Sequence, residues 1–164
     1  MPDERSADCV IEDDRWEAAG LEDLAAQAID ATLLWHRIGG EVVVMGCDDA
    51  RIASLNADFR GKPRATNVLS WPAVDHLPHA PGAMPEIPDE DELGDIAISF
   101  DTCTAEAQAQ GKPFDHHVLH LLVHATLHLL GYDHQTDPDA ALMEQTERSI
   151  LARMTIPDPY EEKA

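Results

Sequence analysis

The chain has 164 residues, enough for one ordinary domain with its own core and too few for two full-sized ones. Acids outnumber bases 32 to 11, a formal charge of −21, which disfavours attraction of the molecule as a whole to nucleic acid or to an anionic membrane. A hydrophobic content of 44% is that of a folded globule, so the acidity does not signal general disorder.

In chain order, Met1 to Trp16 is acidic and lacks the basic and apolar regions of a signal peptide. No apolar run reaches membrane-spanning length. Cys9, Cys47 and Cys103 are widely spaced and form no CxxC pair. The expected setting is a reducing cytoplasm, with neither export nor a membrane anchor. Cys9-Val10-Ile11 reads as a short first strand. From Trp16 to about His36 the residues Leu21, Leu24, Ala25, Ala28, Ile29, Thr32, Leu33 and Trp35 recur at helical spacing, and Gly39-Gly40 ends the run. Glu41 to Gly46 is a β-branched strand with a glycine stop. Asp48 is placed to cap a helix running to about Phe59, with Ile52, Leu55 and Phe59 inward. Val68-Leu69-Ser70-Trp71 is a strand ended by Pro72.

Residues 72–88 hold five of the eleven prolines, and Pro88 to Glu92 is a charge run, so 72–92 is expected to be a mobile surface loop rich in proline and acid. Gly94 to Phe100 is an alternating strand. Asp101 is placed to cap a helix ending near Gln110, which Gly111-Lys112-Pro113 breaks. Asp115 is placed to cap another, running to Leu130 with Gly131 just past its end. A last amphipathic helix spans about Asp137 to Met154, carrying Leu142, Met143, Ile150 and Leu151. Short strands interspersed with helices predict an α+β fold: a single domain (1–164) with a small mixed sheet of about four strands and five or six helices.

The charge is unevenly spread. Nine acids fall in residues 3–23 and six in 86–95, whereas none falls between Phe59 and Val74, where Arg60, Lys62 and Arg64 stand. If the protein meets a phosphate, it meets it there.

Nine histidines is a high count, and five fall between His116 and His128. The telling group is HATLHLLGYDH, residues 124–134. Positions i and i+4 of a helix share one face, so His124 and His128 can grip one ion. Gly131 can adopt the left-handed conformation that turns the chain and brings His134 back. Three imidazoles with one coordination position open are the arrangement of a catalytic rather than a structural zinc site. A zincin-like metal helix, with one divalent ion per chain, is therefore expected. His120 sits about 12 Å along the axis from His128 at 1.5 Å per residue, too far to share the ion, and is expected in the core or behind the ligands. His116 and His117 are expected to be exposed.

The spacing H-x3-H-x5-H is also that of metzincin proteases. Proteases place a glutamate general base directly after the first histidine. Here that position is Ala125, so peptide hydrolysis is disfavoured while metal binding is not.

With these residues in view, the sequence resembles the YbeY family of bacterial metal-dependent endoribonucleases, also called rRNA maturation factors. The family pattern H-G-x-L-H-L-x-G-Y-D-H is matched except for Ala125 in place of glycine. Leu55-Asn56, Phe59-Arg60-Gly61-Lys62 and Ala65 to Pro72 are similar to a second family block. Gly94 to Ser99 is similar to a third, and Met143-Glu144, Glu147 and Asp158-Pro159-Tyr160 also match. These motifs run from about residue 40 to 160; the first forty residues fit in length and layout only.

The resemblance implies zinc on His124, His128 and His134 and cleavage of single-stranded RNA. It also implies maturation of the small-subunit rRNA 3′ end and ribosome quality control, with the small subunit or its associated proteins as partners. The family's functional arginine falls on Arg60. Lys62 and Arg64 are placed to hold flanking phosphates. Asp133 and Asp95 are candidates for orienting a ligand histidine, and the general base stays unassigned. Two other readings are a metalloprotease-like zinc hydrolase without the usual glutamate, and a non-catalytic ribosome assembly factor with structural zinc.

Overall fold

The computed structural model describes residues 5–76, 78–88 and 90–160. The elements run β1 (Arg5–Ile11), α1 (Arg15–Ala19), α2 (Leu21–Trp35), β2 (Gly40–Cys47), α3 (Asp49–Arg60), β3 (Val68–Pro72), β4 (Glu92–Ser99), α4 (Phe100–Gln110), α5 (Phe114–Leu129) and α6 (Asp137–Arg153). The four strands form one mixed sheet in the order β1-β2-β4-β3. β1, β2 and β4 are parallel, and β3 joins the edge antiparallel to β4. This is the α+β class that the sequence predicts, with four strands and six helices among the described residues.

Period-two alternation sorts the sheet residues onto two faces. Val42, Val44, Ile96 and Ile98 join one core with the apolar residues of α2, α5 and α6. Ala97 and Leu69, opposite each other across β4 and β3, face the other way and pack with Ile52 and Leu55 of α3. The central strand β4 is thus buried on both sides. The metal-motif helix α5, with ten buried residues, is the central helix of the main core.

Several sequence expectations change in the structure. The helix expected over Trp16 to His36 is two helices, split where Gly20 adopts φ +78°. The left-handed turn lets Trp16 enter the core with no exposed surface, its Nε1–H donating to the Cys47 carbonyl at 3.0 Å. Gly46 does not stop β2, which continues to Cys47. It lies within the strand because a Cβ there would come within 2.6 Å of Leu21 and 2.7 Å of the Trp16 ring.

Phe59 is not inward: it lies on the outer face at the end of α3, 64% exposed, against the edge of Trp71. Asp101 does not cap its own helix, whose N-cap is Ser99. Its carboxylate instead accepts the Asp49 N–H at the start of α3 and pairs with Arg15 at 2.7 Å. Asp115 lies in the first turn of α5, behind the N-cap Pro113, where its charge favours the helix dipole. His117 is buried rather than exposed, its Nε2 bonded to Glu106 at 2.9 Å where α5 packs on α4, and His116 is half-buried.

Between residues 73 and 91 no described residue is helical or extended in the sheet, yet the segment is tied down. His76 Nε2–H donates to the Leu129 carbonyl, the Gly82 N–H donates to Asp139, Pro85 is buried, and Ile87 packs on the main core. A proline-rich chain loses little entropy on being fixed, which suits a strap better than a loose insertion.

Candidate metal centre and phosphate cleft

His124 and His128 lie one turn apart on α5, with ring centroids 4.7 Å apart and ring planes nearly perpendicular. The helix ends at Leu129 with Leu130 as its C-cap, and Gly131 follows at φ +108°. A Cβ there would stand 3.0 Å from Pro85 and 3.1 Å from the His76 ring, so the turn needs glycine for its backbone and for its space. The turn carries His134 back to ring distances of 5.8 Å from His124 and 5.2 Å from His128. One nitrogen of each of the three rings lies within 4.8 Å of the others.

Hydrogen bonding fixes which nitrogens point together. His128 Nδ1 lies 2.9 Å from the Tyr132 carbonyl, which can only accept, so Nδ1 carries the proton. His124 Nδ1 lies 3.2 Å from Glu147 Oε2, and a carboxylate imposes the same tautomer. Both Nε2 atoms are then bare lone pairs, and they face each other at 3.2 Å. Two acceptors at that distance repel unless a cation lies between them. The donor set therefore fits a divalent ion with imidazole ligands. Burial, reinforced by the neighbouring His124 and His134, pushes the His128 imidazole down to about 4, which keeps it neutral and ready to bind a metal near pH 7.

Glu147 was not among the site residues read from the sequence. It has no exposed surface, and it takes three hydrogen bonds. Oε1 accepts from His120 Nε2 at 2.7 Å and from the Tyr160 hydroxyl at 2.8 Å, while Oε2 accepts from His124. Burial alone would raise its pKa, but the bonds from His120 and His124 outweigh this and hold it near 2. Burial and the Glu147 charge raise the Tyr160 phenol, which stays protonated and keeps donating. The signal was present in the sequence: Met143, Glu147, Ile150 and Leu151 share the helical stripe of α6, and a charge on an apolar stripe must find partners inside. His120 is not part of the three-histidine cluster: its Nε2 is taken up by Glu147, and its ring lines the same cleft as the cluster.

A cleft of about 420 Å³ opens over the three histidines. Arg60 lines it from the end of α3, its Nη2 donating to the Ser70 carbonyl on β3 at 3.3 Å. Asn67, Ser70, Gln135 and Tyr160 add polar groups. Asp133 also lines it, but its carboxylate accepts the Gln135 N–H at 3.2 Å and has no hydrogen bond to a histidine. Asp95 is elsewhere: it is exposed on β4, paired with Val43 and Trp71, and does not line the cleft. The orienting carboxylate is Glu147 and not Asp95. Lys62 and Arg64 are exposed beside the cleft rather than in it. Their turn is held by Asn56, whose Nδ2 donates to the Arg64 carbonyl and whose own carbonyl accepts the Lys62 N–H.

Fold and site together define an α+β protein that carries a three-histidine metal-site geometry on one helix and the turn after it, open to a cleft bearing an arginine. Residues 8–155 match the family model described as Endoribonuclease YbeY, and the chain belongs to that family. It is 60% identical over 169 residues to the Endoribonuclease YbeY of Paracoccus denitrificans, covering 98% of this chain and 97% of that one. It is 50% identical to that of Dinoroseobacter shibae, covering 98% and 93%. The match thus includes most of the first forty residues, which the motifs alone covered only in layout. In fold it resembles the solution structure of TM1509 from Thermotoga maritima, with a TM-score of 0.56 at 18% identity over 96% of this chain and all of that one.

Proposed function

We propose that this chain is a single-strand-specific endoribonuclease that uses one zinc ion on His124, His128 and His134. It acts in small-subunit rRNA 3′-end maturation and ribosome quality control in the cytoplasm. The observation that carries the reading is the pair of opposed Nε2 lone pairs at the floor of a cleft that Arg60 also lines.

A divalent ion held there would polarise a phosphoryl oxygen and bring the pKa of a bound water toward neutrality. Arg60, permanently charged and able to grip a phosphate with two N–H groups, neutralises charge gathering on the reacting phosphate. Glu147 keeps the His124 ring turned toward the cleft, and the Tyr132 carbonyl does the same for His128. Among the described residues, Asp133 is the carboxylate that lines the cleft; Glu147 lies behind the ligands, where a general base cannot reach substrate. Ala125, buried at 1% exposure, supplies none of the proton transfer that a peptidase glutamate would. A purely structural zinc is disfavoured by the open side of the cluster.

The ribosome, or a protein bound to it, supplies the substrate to a chain whose overall charge of −21 gives it little general affinity for RNA. Among the described residues no helix is long and apolar enough to cross a membrane.

Metal content together with cleavage of a single-stranded RNA, for wild type and His124→Ala, tests the reading. Wild type is expected to hold one zinc per chain and to cut the RNA, and His124→Ala to lose both. Cleavage of a casein-like peptide but not of RNA would replace this reading with the protease one.

A further inference from the structure

Phe59 is the most exposed large hydrophobic side chain among the described residues, at 64%. A single exposed apolar residue is ordinary. Its surroundings are not. Phe59 is backed by Trp71, ring centroids 5.5 Å apart and steeply inclined, and it directly precedes Arg60, which lines the histidine cleft.

β3 is an edge strand. Its alternation turns Val68 and Ser70 toward the cleft, whereas Leu69 and Trp71 face α3. The aromatic pair and the cleft therefore flank one strand, and Arg60 bridges them through its bond to the Ser70 carbonyl.

The charges point the same way. Among the described residues Arg5, Arg15, Arg51 and Arg148 are each paired with a carboxylate; Arg37 and Arg153 lack such a pair singly, whereas Arg60, Lys62 and Arg64 lack one as a group within five residues. These three cations stand in the stretch from Phe59 to Val74 that holds no acid, in a chain with 32. Unpaired cations beside an exposed ring match a strand of phosphates and flat bases. An acidic or apolar protein surface would use one of these features but not both.

We propose that Phe59, held in place by Trp71, is the stacking platform for a nucleobase flanking the scissile phosphodiester, with Lys62 and Arg64 holding adjoining phosphates. The proposal rests on the reading of the chain as a single-strand endoribonuclease. Stacking accepts any base, so the platform grips an unpaired strand without choosing its sequence, and a duplex, whose bases are already stacked, cannot use it.

The test is a coupling experiment on the zinc-loaded full chain. Half-saturating concentrations are measured for a single-stranded RNA and for the same RNA with one abasic nucleotide placed at each position in turn. Wild type, Phe59→Ala, Phe59→Leu and Phe59→Tyr are compared. Leucine keeps apolar packing on Trp71 but has no ring face, so it separates stacking from support of the fold.

Phe59→Ala and Phe59→Leu should raise the half-saturating concentration about ten-fold, and Phe59→Tyr should restore it. One abasic position should weaken wild type by a similar factor and have no further effect on Phe59→Ala. If Phe59→Leu binds as wild type does, or if every abasic penalty is the same in wild type and Phe59→Ala, the platform is wrong even though RNA is cut. If the substitutions change self-association and not RNA binding, the face belongs to a second copy and the proposal falls. If wild type neither binds nor cuts the RNA, the parent reading fails with it.

Discussion

Glu147, fully buried on α6, accepts the Nδ1 proton of His124 on α5 and so turns the other ring nitrogen toward His128. One carboxylate thereby joins the packing of two helices to the aim of a ring in the three-histidine cluster. Three donors converge on it, from His120, His124 and Tyr160.

Glu147→Gln leaves these donors facing a neutral amide that itself brings two N–H groups into a full site. Zinc affinity should fall about 10- to 100-fold, the range for losing a partner behind a ligand histidine. A competition titration against a chromogenic chelator reads this directly. Unchanged affinity would mean that helix packing alone fixes the His124 ring.

Gly131→Ala should destabilise the fold by about 1–2 kcal/mol from backbone conformation, since a positive φ is unfavourable for a residue with a Cβ. The new methyl would also press on Pro85 and His76, so the strap and the His134 turn must shift together. The expected outcome is a lower melting temperature with weaker zinc binding. A loss of stability with zinc affinity intact would show that His134 reaches the site without this turn.

His128 gives the metal-free protein a pH dependence of definite sign. Its folded-state pKa is held at about 4, against an ordinary value of 6.5, by burial and by His124 and His134. The unfolded chain therefore takes up the proton first as pH falls. Stability that is fully present above 6.5 is lost as pH drops toward 4. Thermal unfolding of the metal-free chain from about pH 7.5 to about pH 4 checks this, and His128→Gln should flatten the dependence over that interval.

Arg60→Ala should keep one zinc per chain, because its guanidinium bonds to Ser70 and to none of the three clustered histidines. Cleavage of single-stranded RNA should fall about 100-fold or more, as when a single group stabilising developing charge is removed. Full activity with metal retained would remove Arg60 from the phosphate site.

The histidine cluster was legible in the sequence because it is local: a spacing of four on one helix, then a glycine turn. The neighbourhood of Arg60 was legible from charge distribution, since a gap in the acids marks a surface regardless of fold. Charge did not separate Arg60, which lines the cleft, from Lys62 and Arg64, which do not; only the family resemblance did. What stayed hidden depends on which elements meet. Gly20 breaks a helix whose apolar spacing runs on undisturbed across it, because Trp16 has to reach Cys47, 31 residues away. His117 looks like an exposed residue at a helix start until α4 brings Glu106 beside it. Asp95 sits in a recognisable strand motif, yet pairing on β4 turns it to solvent, while Glu147 arrives from α6 to do the orienting. Phe59 follows the inward spacing of α3, but that helix covers the sheet only as far as Leu55 and leaves its last turn on the rim.

The most direct test of the account is cleavage of a single-stranded RNA by the wild-type chain before and after chelation, with far-ultraviolet circular dichroism recorded on the same samples. The account predicts that cleavage disappears when the metal is removed, returns when zinc is restored, and does so with the helical signal essentially unchanged. Cleavage that persists in a chain verified to be metal-free would contradict it.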